Sequence, residues 1–341
     1  MTRALALVVS LLFALTARAE PAACGGTDLI GALKTRDRAA FDKVSREAAA
    51  TGHARGLLWK IEKPGVAPSY LFGTAHVTDR GATAKTARLA PHLAGAKVLA
   101  LELTSKELEA NAGAFMTRLI DGSLTTVSDL KDETARTRLA AALKDYGVPL
   151  EAAEAMNPWL LAIILAIPPC EVARASAKLP TVEHALEAIA KRHGVPVTGL
   201  ETPGEQIDAF LAMPRATAVK SVIEMAKLGS AMRENLFATL VAAYRAEDVQ
   251  SYVVAATSGV LIPGEPLSGW SEMQEMLLDR RNVTMVERAR PLIDKGGAAI
   301  AVGALHLPGP KGLVSLLKAA GYQVSPVPEG TATAPAKKSR Q

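Results

Sequence analysis

The rhythm of hydrophobic and polar positions changes several times along the chain. Leu57-Leu58-Trp59-Lys60-Ile61-Glu62 alternates partly, Lys63 to Pro68 is turn-rich, and Ser69 to Phe72 is apolar again, which predicts a β-hairpin. Lys97 to Leu103 predicts a third strand entered through Gly95-Ala96, and Ala82 to Ala94 before it has helical composition. Further short strands are expected over Val195 to Glu201, Ala298 to Val302 and Tyr322 to Val324. The stretches between them favour helix. One long helical region runs from Ser105 to about Lys191, in which Leu139, Leu143 and Tyr146 sit at helical spacing before the stop at Gly147-Val148-Pro149. Within it, Thr181 to His193 puts Val182, Leu186 and Ile189 on one face and ends at Gly194. Helices are also expected over Glu205 to Lys227, Glu234 to Val254, Met273 to Ile293 and Gly312 to Ala319. The order predicts an α/β fold: a modest central mixed sheet with a large helical insertion and no solenoid repeat.

The two ends read differently from the middle. Arg3, the apolar run Ala4 to Leu15 and the small-x-small Ala17-Arg18-Ala19 predict a cleaved export signal over residues 1–19. Pro21-Ala22-Ala23-Cys24 lacks the large aliphatic residue of a lipidation site. Residues 20–327 are expected to form the domain, and the Ala-, Thr-, Pro- and Lys-rich residues 328–341 a disordered tail. Trp159 to Ile167 is apolar but stops at Pro168-Pro169, too short for a span, so no stable membrane span is expected after cleavage. The protein is expected outside the cytoplasm, periplasmic or secreted. The formal net charge is +5, of which Arg3 and Arg18 leave with the signal; without a basic stripe or aromatic platform, nucleic acid is excluded as a partner. Cys24 and Cys170 are the only cysteines, an even count that suits a disulfide in an oxidising compartment; two buried thiols are the alternative.

Four predicted strand ends carry polar groups against apolar runs: His76, Glu102, Glu201 and His306. Strand ends face the crevice in which α/β proteins bind ligands. The two histidines close the same pattern, Gly73-Thr74-Ala75-His76 and Gly303-Ala304-Leu305-His306, which hints at a distant pseudo-repeat. Two imidazoles with one or two carboxylates suit a borderline divalent ion, and a carboxylate not used as a ligand suits a general base. The plain alternative is a polar core network. Thr74 either bonds a neighbouring ligand or caps the next helix. Thr202, Pro203 and Glu205 read as a capping box, which leaves Glu201 unexplained. Arg281-Asn282 either faces the site or lies exposed. His53, His92, His184 and His193 read as loop or helix-end residues.

Leu71-Phe72-Gly73-Thr74-Ala75-His76-Val77, Ala100-Leu101-Glu102-Leu103, Gly199-Leu200-Glu201-Thr202 with Glu205-Gln206, Arg281-Asn282 and Val302-Gly303-Ala304-Leu305-His306-Leu307 together resemble the TraB/GumN family, whose superfamily includes the Tiki-type metalloproteases. Cys24 and Pro168-Pro169-Cys170 look like its secreted bacterial branch. The resemblance implies a metal-dependent hydrolase acting on peptide bonds, with Mn, Co or Zn as the ion. It makes His76 and His306 the motif histidines and Glu102 and Glu201 the candidate acids, as ligands or proton-handling groups, with Gly73, Thr74, Gly303, Glu205, Arg281 and Asn282 in support. Where members often carry an Asp before the Gly-Leu-Glu-Thr strand, this chain offers Glu183. A peptide or protein substrate is the expected partner; a non-catalytic metal-, haem- or peptide-binding protein is the second reading. Substrate and oligomeric state are left open. The expectation most open to test is geometric: His76 and His306, 230 positions apart, face one crevice.

Overall fold

A computed structural model describes residues 20–119, 130 and 132–330. The expected export signal and most of the expected tail lie outside the described residues. The hairpin forms as its turn chemistry predicts: β1 (Leu58–Glu62) runs antiparallel to β2 (Ser69–Thr74), pairing Leu58 with Phe72 and Ile61 with Ser69. β3 (Val98–Leu101), β4 (Val197–Gly199), β5 (Ala298–Gly303) and β6 (Gln323–Pro326) complete one mixed sheet, ordered β4-β3-β5-β2-β1-β6. The first four in that order are mutually parallel, so their carboxyl ends open on one edge.

Both faces of this sheet are covered, which is why its strands read as almost unbroken apolar runs. Phe72, Leu99, Leu101, Ala299 and Ala301 pack on one side with Val182, Leu186 and Ile189 of helix Val182–Arg192. Leu71, Ala100, Ala298, Ile300 and Val302 pack on the other with Met285, Ala289 and Ile293 of helix Arg280–Asp294. The helical insertion has its own core around Leu139, Leu143, Trp159, Leu161, Leu165 and Val222.

Proline marks several of the breaks in the long helical stretches. Ser105 to Lys191 divides into Ser105–Leu119, Glu133–Lys144, Leu150–Glu154, Pro158–Ala166, Pro169–Ser176 and Val182–Arg192. Pro158 and Pro169 each start a helix, where the missing N–H costs nothing. Glu205 to Lys227 divides at Pro214 into Pro203–Leu211 and Arg215–Lys227. Glu234 to Val254 divides into Ser230–Arg245 and Val249–Thr257, the second capped by Asp248. Ala82 to Ala94 is three short helical pieces rather than one. Helices Leu29–Arg36 and Arg38–Ala50 have weak apolar stripes and escape sequence reading; Asp37 caps the second, and Val44 packs with Ala255 and Leu261. Among the described residues no single helix is long and apolar enough to cross a membrane, and Pro158–Ala166 meets Pro169–Ser176 at 97°. Cys24 and Cys170 are bonded, with Cα atoms 5.3 Å apart.

Candidate functional site

The parallel strands deliver the four expected side chains to one edge. His76 lies two residues beyond β2, Glu102 one beyond β3, Glu201 two beyond β4 and His306 three beyond β5. The two Gly-x-x-His motifs sit side by side, because β2 pairs with β5 in the register Gly73 to Val302 and Thr74 to Gly303. Glycine at both positions serves close approach rather than backbone angle. A Cβ on Gly73 would stand 2.9 Å from Leu307 Cδ1 and 3.0 Å from Ala304 Cβ; one on Gly303 would stand 3.1 Å from Glu102 Oε1. The motifs are not local copies, however. His306 is buried on a short 3-10 turn, Ala304–His306, whereas His76 is exposed in a bend. The shared pattern does not extend to a shared local structure.

Glu102 is the hub. Its Oε1 accepts from the Gly303 N–H at 2.5 Å and stands 3.6 Å from His306 Nε2. Its Oε2 accepts from Arg281 Nη2 at 2.7 Å and from Gln206 Nε2 at 3.5 Å. Burial pushes the carboxyl up, but His306, His76, Arg281 and the Gly303 N–H outweigh it and bring it to about 2. Glu201 is bound by the same guanidinium in a fork: Arg281 Nε donates to Oε1 at 2.9 Å and Nη2 to Oε2 at 2.6 Å. Gln206 Nε2 also donates to Glu201 Oε2, at 3.2 Å. Arg281 reaches this position from the first turn of helix Arg280–Asp294, directly after a π-helical turn at Glu275–Asp279.

Hydrogen bonding fixes the tautomer of His306. The Lys311 carbonyl can only accept, so Asn282 presents Nδ2 to it at 2.9 Å and turns Oδ1 to His306 Nδ1 at 2.6 Å. Nδ1 therefore carries the proton, and the Nε2 lone pair points toward Glu102. Burial pushes the imidazole down to about 4, so it is neutral near pH 7. Two lone-pair atoms, Nε2 and Oε1, thus face each other at 3.6 Å in a buried place.

His76 is held from behind by Glu183, whose Oε1 lies 3.0 Å from Nδ1. The Glu183 charge raises the imidazole against the opposing effect of desolvation. The His76 side chain is 68 % exposed, so water screens this pair and leaves the ring's outer edge open. Glu183 reaches from the first turn of helix Val182–Arg192 despite its extra methylene. Both its carboxylate oxygens and the Thr74 hydroxyl are buried without a hydrogen bond of good geometry. Thr74 does not cap the next helix; Asp79 does, accepting from the Ala82 N–H. His76 and His306 follow neighbouring strands, and both influence the Glu102 carboxyl electrostatically.

The supporting residues fall into place around this cluster. Thr202 and Glu205 form the expected capping box, and Arg288 binds both oxygens of Glu205. His184 closes a second capping box with Thr181, His92 stacks on Tyr70, and His53 lies edge-on to Trp59. Sequence reasoning reaches Gln206 only as part of the family motif and misses Tyr244, whose hydroxyl donates to the Gly73 carbonyl at 2.9 Å. Neither interrupts an apolar run in a way that would single it out. A pocket of about 210 Å³ opens beside Glu201 and Arg281, walled by Ala209, Ala212, Met276 and Thr284.

The donor set suits a divalent cation in part. His306 Nε2, Glu102 Oε1 and the open edge of His76 supply nitrogen and oxygen donors of the right kind. Glu102, Glu183 and Glu201 are opposed by Arg281 and by His76, which Glu183 raises to about 9, so the cluster keeps an excess of negative charge at neutral pH. Among the described residues, no three His, Cys, Asp or Glu side chains stand close enough to form a finished cage. The model of the TraB/PrgY/gumN family matches residues 57–326, which spans every element of the sheet. No curated protein and no solved structure matches.

Proposed function

The chain belongs to the TraB/PrgY/gumN family, and from that premise and the geometry of the strand ends we propose that it is an exported metal-dependent hydrolase acting on peptide bonds. The observation that carries this reading is the pair of facing lone pairs on His306 Nε2 and Glu102 Oε1, in a buried cluster where the carboxylates outnumber the cations. His306 and Glu102 would hold the ion, with His76 as a further ligand that metal binding would have to draw in, and Mn, Co and Zn as candidates. Bound there, it would supply Lewis-acid polarisation of a carbonyl and a water of lowered pKa. Asn282 orients His306 by its Nδ1 proton, and Glu183 retains His76 by charge, an arrangement typical of the outer partners of ligating histidines.

We assign Glu102 to ligation rather than proton transfer, because a carboxylate brought to about 2 is a poor base at neutral pH. Glu201 anchors Arg281, which in turn orients the second oxygen of Glu102. The pocket beside Glu201 would take part of the substrate. The disulfide and the lack of a spanning helix among the described residues are compatible with export. A second reading, metal binding without turnover, draws on one observation: Arg281 occupies both candidate acids, so neither is poised as a base.

Elemental analysis and peptide hydrolysis of wild type, His76→Ala and His306→Ala test the proposal. It predicts stoichiometric metal and turnover in wild type, with both lost in folded His306→Ala. Stoichiometric metal without turnover across a peptide library supports the second reading. Equal metal content in all three proteins refutes both.

A further inference from the structure

The loop that carries His76 is gripped from an unexpected direction. Thr78, two residues further on, is buried, and all of its polar atoms are bound by one short helix, Pro169–Ser176. Glu171 Oε1 accepts from the Thr78 N–H at 2.5 Å, and Oε2 accepts from the Thr78 hydroxyl at 2.8 Å. Arg174 Nε donates to that same hydroxyl at 2.9 Å, and Nη2 donates to the Thr78 carbonyl at 3.0 Å. Glu171 and Arg174 are themselves buried and close to one another, so the grip is a paired, desolvated network rather than a surface contact.

The helix that makes this grip is tied down in turn. Cys170, the neighbour of Glu171, is bonded to Cys24. Arg174 Nη1 also reaches back to that segment, donating to the Pro21 carbonyl at 3.0 Å and to Glu20 Oε1 at 3.3 Å. The residues around Cys24 are therefore linked to His76 through a chain of four steps: disulfide, helix Pro169–Ser176, Thr78 and the His76 bend. Nothing in the chemistry of the strand ends requires this second anchor. Between β2 and the next helix, which Asp79 begins, the backbone is held at the Gly73 carbonyl by Tyr244 and at the His76 ring by Glu183. Beyond the buried Val77, Thr78 is where the backbone that follows the exposed His76 is fixed by hydrogen bonds on every polar atom.

We propose that Glu171 and Arg174 are positioning residues for His76 and that the Cys24–Cys170 disulfide holds them in register, so that completion of the His76 side of the site depends on this covalent clamp. The clamp acts through the backbone of residues 76–78, and its role in metal binding rests on the reading of His76 as a ligand given above.

The test pairs Thr78→Val, which keeps the shape but loses the hydroxyl, with Thr78→Ser, which keeps the hydroxyl, and adds the double variant Cys24→Ser with Cys170→Ser. Two readouts are taken on folded protein well below its unfolding midpoint. One is Mn²⁺ affinity from the electron paramagnetic resonance of the free ion. The other is the position of the His76 and His306 ring resonances in metal-free protein. The expected result is a loss of affinity of roughly tenfold or more in Thr78→Val and in the double cysteine variant. The His76 resonance moves, the His306 resonance stays, and Thr78→Ser behaves as wild type. An unmoved His76 resonance in both variants overturns the proposal, as does an equal displacement of both rings, which a general loosening would give. If wild type binds no Mn²⁺, the metal reading fails, and the ring resonances alone still decide the clamp.

Discussion

Asn282 decides which nitrogen of His306 is free, and the whole reading of the site turns on that. Its amide is oriented by a backbone carbonyl that can only accept, so the tautomer follows from hydrogen-bond logic. Asn282→Ala removes the partner of Nδ1 and is expected to weaken divalent-metal affinity by about 10–100-fold with the fold retained, as measured by calorimetric titration; unchanged affinity would mean that His306 is not a ligand. Arg281 carries the opposite kind of load, one guanidinium between two buried carboxylates. Arg281→Met leaves both charges unpaired, and a loss of about 3–5 kcal/mol in metal-free urea unfolding is expected. Added Mn²⁺ should recover part of that loss; no recovery would argue against an ion at Glu102. His76, Glu102 and His306 were legible in the sequence because each interrupts an apolar run. The commitment of Glu201 to Arg281 was not, since the partners lie 80 positions apart and only the fold joins them. Glu183 was visible through family resemblance alone.

At the scale of elements, the site is a consequence of four parallel strands ending on one edge, with β2 and β5 as neighbours. Their adjacency places the turn after β5 on Gly73, where a Cβ would meet Leu307 and Ala304. Gly73→Ala is therefore an overpacking change, expected to cost about 1–3 kcal/mol in urea unfolding and to weaken metal binding through displacement of the His306 turn. A neutral result would place that turn elsewhere. The strands and the hairpin were readable from apolar runs and turn residues, because burial on both faces leaves little else to confuse them. The helical regions were readable in kind but not in division. Pro158, Pro169 and Pro214 cut them at places where tertiary packing, rather than periodicity, sets the new direction. Leu29–Arg36 and Arg38–Ala50 have only one or two buried apolar side chains each, too faint a stripe to detect.

For the whole molecule, the buried charges make stability depend on pH with a definite sign. Glu102 and Glu183 are brought from 4.5 to about 2, and His306 from 6.5 to about 4. Between about pH 6.5 and 2 the unfolded chain therefore takes up protons that the native state refuses, and stability falls as pH falls. His76 works the other way: raised by Glu183, its contribution is complete below 6.5 and is lost as pH rises toward about 9, a shallower limb because the ring is largely exposed. Metal-free urea midpoints are expected to peak near pH 6.5 and to drop on the acid side, and Glu183→Gln should flatten both limbs. A profile level from pH 6.5 to 4 would contradict the assignment of His306 as a buried neutral imidazole. The central proposal is that a divalent ion belongs between His306 and Glu102. Anomalous diffraction at the zinc edge from crystals grown with Zn²⁺ tests it most directly. The account predicts one strong peak about 2.0–2.2 Å from both His306 Nε2 and Glu102 Oε1; an ordered site with no peak there, or zinc bound only elsewhere, would contradict it.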